Sequence, residues 1–223
     1  MHAKTPPSLN ADCRESLPDV DGQGRAPRFG LWLAVLVGYA AAMLLPWLGA
    51  YPLISHEAYL AERTREMIEL GHGMVPYLNG EPDVQKPPLP FWLVWAASAL
   101  TGGEIDEWAT RLPQAVAVIA TACLLAIWLR RVVGPRAGLV TGLVFVTSVS
   151  GLHYGRHGET DPMLACFTVA AFLCYWRAVF AGSPRGRWGG LAGAGACLGV
   201  TLLLKGPMSI PFACITAAAM AIA

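Results

Sequence analysis

The stretch PLPFWLVWAASALT, Pro88 to Thr101, decides how the chain is threaded. It is apolar enough to enter a bilayer, yet it falls short of the roughly 20 residues that a crossing helix needs, and it opens on prolines. Two basic loops settle the choice. Arg130, Arg131 and Arg136 form one, and Arg177, Arg185 and Arg187 the other. The positive-inside rule puts both in the cytoplasm. A crossing at 88–101 would force the first of them to the outside. The stretch is therefore expected to be a re-entrant or interfacial helix.

With that choice the spans read 31–50, 111–129, 137–153, 162–181, 188–204 and 208–223. Segments 51–110, 154–161 and 205–207 then face outward together. Glu57, Lys86, Arg156, Asp161 and Lys205 share that face.

Composition agrees with a membrane protein. Of 223 residues, 55% are apolar and 14% charged, with a mean hydropathy of +0.47; about a quarter charged is usual for soluble domains. The expected fold is all-α, a polytopic membrane helix bundle with interfacial helices in the first outer loop. A formal charge of +1 with no basic stripe gives no reason to expect a nucleic-acid partner. A transporter or channel would place ionisable groups within its spans, which hold almost none.

Residues 1–30 are expected to be a disordered cytoplasmic tail ahead of the domain at 31–223, with Arg25 and Arg28 holding it inside. A cleaved signal peptide is the competitor, but its apolar core is shorter, about 7–15 residues, and WLGAYPLI is a poor cleavage site. The last apolar run stops at Ala223 without a polar flank, so a chain truncated there is expected. Cys123, Cys166, Cys174, Cys197 and Cys214 lie in apolar segments and Cys13 in the tail. None has metal-ligand spacing, so they read as small apolar fillers. His72, His153 and His157 form no familiar metal pattern, and no metal site is expected.

The outer segment carries the candidate chemistry. In EAYLAERTREMIEL an amphipathic helix is expected, with Leu60, Met67 and Ile68 on one side and Glu62, Arg63, Glu66 and Glu69 on the other. In NGEPDVQKPPLPFWL, Lys86 precedes Pro87 and Pro88, which favour an extended backbone before them. Lys86 can recognise a lipid phosphate at headgroup depth or simply snorkel to water. In GRHGETDPMLACF, Asp161 precedes Pro162 and serves either as a helix N-cap or, with Glu57 on the same face, as a base toward an acceptor. Lys205 in LLLKGPMS anchors a helix end or adds a second phosphate contact.

An acidic motif after the first span, then REM, VPYLNGEPDVQKPPLPFWL, ATRLPQA, TDPM and LLLKGP follow one another in an order that resembles a family of membrane glycosyltransferases. It is the bacterial aminoarabinose transferase and protein O-mannosyltransferase group, with the GT-C fold. The match runs from about Leu31 onward, and LNGEPDVQKPPLPFW is its most specific part. The resemblance implies a multi-pass enzyme of the bacterial inner membrane with its site on the periplasmic face. It implies a polyprenyl-phosphate sugar as donor substrate, no separate cofactor, membrane lipids as neighbours, and lipid A, protein or another glycan as acceptor. It makes the chain the N-terminal part of a protein more than twice as long. The family's acidic pair falls on His56 and Glu57, its second-loop aspartate on Asp161 and its phosphate-contacting lysine on Lys86.

Three positions depart from the family pattern. His56 stands where Asp is usual, Tyr59 where Arg is, and Gln85 where Glu is, the last removing a possible metal ligand. His56 can take over as base at neutral pH, Asp161 can act alone, or activity can be lost. The implied reaction is direct displacement with inversion. Lys86, helped by Lys205 or Arg156, would neutralise the leaving phosphate, while Asp161, with Glu57 or His56, would take the acceptor's proton. The alternative is a catalytically inactive membrane protein that binds polyprenyl lipids.

Overall fold

The computed structural model describes residues 28–211 together with Cys214. The expected tail up to Pro27, Cys13 and most of the expected last span, 208–223, lie outside the described residues. Helix α1, Arg28–Leu44, runs into a 3-10 turn at Leu45–Trp47. The outer segment follows, with α2 (His56–Glu69), a two-stranded hairpin of β1 (Tyr77–Leu78) and β2 (Glu81–Pro82), and α3 (Leu89–Ser98). The bundle continues with α4 (Glu107–Val132), α5 (Pro135–Thr147), α6 (Val149–Tyr154), α7 (Asp161–Val179) and α8 (Pro184–Lys205), before a 3-10 turn at Gly206–Ser209.

Among the described residues, four helices are long and apolar enough to cross a membrane: Phe29–Trp47, Glu107–Val132, Asp161–Val179 and Pro184–Lys205. Their ends are marked in the sequence. The Asp106 carboxylate caps α4 by accepting the amide of Ala109 at 2.7 Å. Ser183 caps α8, Pro184 opens it, and Gly206 at φ +69° closes it. Small residues let the helices approach closely, as membrane packing requires. A Cβ at Gly138 on α5 would sit 2.4 Å from the Ala126 carbonyl oxygen of α4.

The bundle has two chemically distinct ends. Arg130, at the end of α4, lies 4.2 Å over the Phe29 ring at the start of α1. At the other end Arg111, near the start of α4, donates to the Leu48 carbonyl just past α1 at 2.7 Å. The α5 and α8 starts join the first end, and the α7 start and Lys205 the second.

The stretch at 88–101 forms only the ten-residue α3, about 15 Å long at helical rise. It packs on α2 through Leu60, Met67, Phe91 and Val94, beneath the bundle's outer end. Two expectations need correction. The span at 137–153 is not one helix. It breaks at Ser148, whose extended backbone ends α5 and whose hydroxyl caps α6 by accepting the Gly151 amide at 3.0 Å. And Arg63 is not on the polar face of α2. It is buried, its Nη2 2.5 Å from Asp83 Oδ2. Tyr59, in contrast, faces outward.

Candidate active site

The hairpin tip and the turn after it are fixed first. Asn79 and Gly80 both have positive φ, +56° and +77°, the signature of a type I′ hairpin turn. The Glu66 carboxylate accepts their two amides at 2.7 and 2.8 Å. After β2, Asp83 accepts the Gln85 amide at 3.0 Å with one oxygen and Arg63 with the other. Burial raises the Asp83 carboxyl, but the Gln85 amide, Arg63 and Lys86 outweigh it and hold it below the usual range. The turn so braced carries Lys86.

Lys86 and Lys205 line one cavity of about 430 Å³ with Gln85, Pro87 and Pro88. Burial depresses the Lys86 ammonium, and the positive charges of Arg63 and Lys205 add to that; Asp161 and Glu159 only partly offset them. Two cations facing one cavity are stabilised by an arriving anion. Lys205 Nζ meets Asp161 Oδ1 at 2.6 Å, with both side chains partly exposed. The sequence brought these three residues from three separate segments, and the fold sets them side by side.

Glu57 occupies a different environment. It is 3% exposed, and Arg111 holds it through Nε to Oε2 at 3.0 Å and Nη2 to Oε1 at 2.6 Å. The amides of Gly158 and Ile54 donate to it at 2.8 and 3.1 Å. Burial pushes its carboxyl up, but Arg111 and the two amides win and leave it below the ordinary value. Arg111 also donates to the carbonyls of Leu48, Tyr51 and Pro52. The pair thus ties the end of α1, the start of α2, α4 and the 155–160 loop into one body. Arg111 was not among the sequence candidates. The available signal was a run of polar residues, Thr110, Arg111, Gln114 and Thr121, in a mostly apolar helix, and the fold buries all four.

Arg156 and His157 line a second cavity of about 650 Å³ with Trp47, Tyr51, Glu57 and Arg111. Arg156 donates to the Met43 carbonyl at 2.6 Å and lies 5.9 Å over the Trp47 ring. The structure therefore separates it from Lys86 and Lys205, with which it was grouped. His56 opens α2, is exposed, and lines neither cavity. Among the described residues no three His, Cys, Asp or Glu side chains cluster so as to hold a metal ion.

Comparison with known proteins places the chain in a family. Residues 85–223 match the family model described as dolichyl-phosphate-mannose-protein mannosyltransferase. Among curated proteins, the chain is 28% identical over 181 residues to the undecaprenyl phosphate-alpha-4-amino-4-deoxy-L-arabinose arabinosyl transferase of Edwardsiella ictaluri, covering 80% of this chain and 32% of that protein. The enzyme of the same name from Serratia proteamaculans is 29% identical over 185 residues, covering 81% and 33%. The chain thus spans about a third of the length of these relatives. Its fold matches the crystal structure of ArnT from Cupriavidus metallidurans bound to undecaprenyl phosphate, with a TM-score of 0.73 at 24% identity, over 81% of this chain and 33% of that one. With four membrane-length helices in an ArnT-like arrangement, this multi-span membrane protein belongs to the dolichyl-phosphate-mannose-protein mannosyltransferase family.

Proposed function

We infer that the chain supplies the donor-binding half of a glycosyltransferase site that takes a sugar from a polyprenyl phosphate. The cavity holding both Lys86 and Lys205, the latter paired with Asp161, carries this reading. Lys86 and Lys205 would bind the donor's phosphate and stabilise the charge that develops as it departs. The acceptor oxygen would attack the anomeric carbon with inversion. The bond from that carbon to the phosphate oxygen breaks, the electron pair leaves with the polyprenyl phosphate, and Asp161 receives the acceptor's proton.

Asp161 suits that role better than Glu57. Among the described residues only its Oδ1 accepts a hydrogen bond, from a partly exposed lysine, whereas both Glu57 oxygens have donors. Glu57 and Arg111 would instead hold the floor of the site in shape. The Arg156 cavity would take the acceptor, whether lipid A, protein or another envelope glycan. The face would be periplasmic and the membrane the bacterial inner membrane, as the basic loops at the opposite end suggest.

The test uses the full-length protein in nanodiscs, with undecaprenyl phosphate binding and sugar transfer measured together. Lys86→Ala is expected to weaken binding at least tenfold, and Asp161→Asn to abolish transfer without weakening binding. Wild-type transfer by Lys86→Ala would overturn the assignment. His56 is exposed outside both cavities, which favours a second reading, a chain that binds the lipid without transfer. It predicts the same loss of binding in Lys86→Ala and no transfer by the wild type.

A further inference from the structure

At the end of the bundle away from Asp161, the turn between α7 and α8 opens a cavity of about 550 Å³ lined by Ser183, Arg187, Trp188 and Leu191. Its surroundings are strongly cationic. Arg177, Arg185 and Arg187 are all exposed, and none has an ion-pair partner among the described residues. Every Asp and Glu of the described residues falls within 57–107 or at 159 and 161, toward the other end. Ser183 Oγ accepts the Gly186 amide at 3.2 Å, which leaves its hydroxyl proton free to donate into the cavity.

The aromatic neighbours set the depth. Trp188 is 71% exposed and Phe180 58% exposed. Large aromatics so exposed at the end of a membrane-length helix belong at the boundary between headgroups and acyl chains. Leu191 lies one turn further along α8 and continues the cavity toward the apolar part of the helix. An anion in water would satisfy the arginines but would leave Trp188 and Leu191 unused.

We propose that this cavity seats the headgroup of an anionic glycerophospholipid of the surrounding bilayer, with Arg187 and Ser183 on the phosphate, the exposed Arg185 adding its charge from beside the cavity, and Trp188 and Leu191 along the first acyl carbons. The lipid would brace the α7–α8 turn from the side opposite the candidate active site. It is a different ligand at a different end from the polyprenyl donor, so neither reading depends on the other.

The experiment titrates the purified full-length chain in detergent with phosphatidylglycerol, phosphatidylcholine and inorganic phosphate, reading bound lipid by native mass spectrometry. Each arginine near such a surface contributes about fivefold in affinity, so Arg185→Gln with Arg187→Gln should weaken phosphatidylglycerol binding about 25-fold. Arg131→Gln with Arg136→Gln removes the same charge from the neighbouring loop and should leave it nearly unchanged. Equal loss in both double variants would reduce the site to diffuse surface charge and overturn the proposal. So would equal retention of phosphatidylcholine, or displacement by inorganic phosphate. A second readout needs no arginine variant. Phosphatidylglycerol with brominated acyl chains should quench the Trp188 share of the emission, taken as wild type minus Trp188→Phe, more than brominated phosphatidylcholine does. Equal quenching would also overturn it.

Discussion

Replacing Arg111 with Met tests what holds the candidate site together. Met keeps much of the side-chain volume but removes every donor. The buried Glu57 carboxylate would keep only the amides of Gly158 and Ile54, and the carbonyls of Leu48, Tyr51 and Pro52 would lose Arg111 as their donor. Removing one partner of a buried ion pair costs about 3–5 kcal/mol. For a chain of this size each kcal/mol moves the melting temperature by about 2–4 °C, so a fall of about 6–20 °C is expected. Glu57→Gln keeps the shape and one acceptor, and should cost about 1.5–3 kcal/mol, the range for a hydrogen bond to a charged group.

The pH dependence of that loss separates the ion pair from simple repacking. The folded Glu57 carboxyl lies below its ordinary value. Its stabilisation is therefore present above the unfolded value of about 4.3 and is lost as pH falls through the lower folded value. Without Arg111, burial is opposed by two amides alone and the carboxyl rises. A carboxyl raised in the folded state reverses the sign, because its proton then favours folding below the unfolded value. The gap in melting temperature between wild type and Arg111→Met should therefore narrow as the buffer moves from about pH 7 to about pH 4. The assay is thermal unfolding in detergent, followed by tryptophan fluorescence. A gap under about 2 °C at neutral pH, or one that does not change with acidification, would refute the reasoning.

Lys86→Met should raise the melting temperature of the ligand-free chain slightly at neutral pH while abolishing undecaprenyl phosphate binding, since burial and neighbouring cations disfavour its charge. For the wild type, the same depression means that affinity measured across an alkaline series should begin to fall below the ordinary lysine value of about 10.4. Asp161→Asn frees Lys205 from its carboxylate and should tighten phosphate binding, read by titration with undecaprenyl phosphate. Gly158→Ala would place a Cβ 2.6 Å from the Glu57 Cβ and should cost about 1–3 kcal/mol of stability, checked by thermal melting. Asp106→Ala removes the α4 cap and should cost about 1 kcal/mol in the same assay, with lipid binding unchanged.

Much of the architecture was legible because charge and length are local properties. The prolines and short length of 88–101, read against two arginine loops, pointed to a helix too short to cross, and α3 has ten residues. The break at Ser148 was not legible. The run from Ala137 to His153 is mostly apolar, and its hydroxyls at Thr141, Thr147, Ser148 and Ser150 do not by themselves tell which one ends a helix. The Asn79-Gly80 pair is a strong hairpin signal in the sequence itself. Arg63 and Arg111 escaped for another reason. Their partners lie 20 and 54 residues away, and an arginine at a helix surface or a span's start is usually an interfacial anchor. Only a packed structure shows that these two point inward.

That difference also sorts the two carboxylates, which the sequence placed on one face as equals. A group that takes a proton during turnover must be able to change partners. Glu57 cannot do so cheaply, because four donors converge on it and its own ion pair holds three carbonyls of the adjoining loop. Among the described residues Asp161 has one hydrogen-bond partner, Lys205, which shares a cavity with Lys86. A phosphate entering between the lysines would compete directly for Lys205 and release Asp161 toward the acceptor. Donor arrival and availability of the base would then be one event, and an Asp161 left unguarded before the donor arrives would be rare.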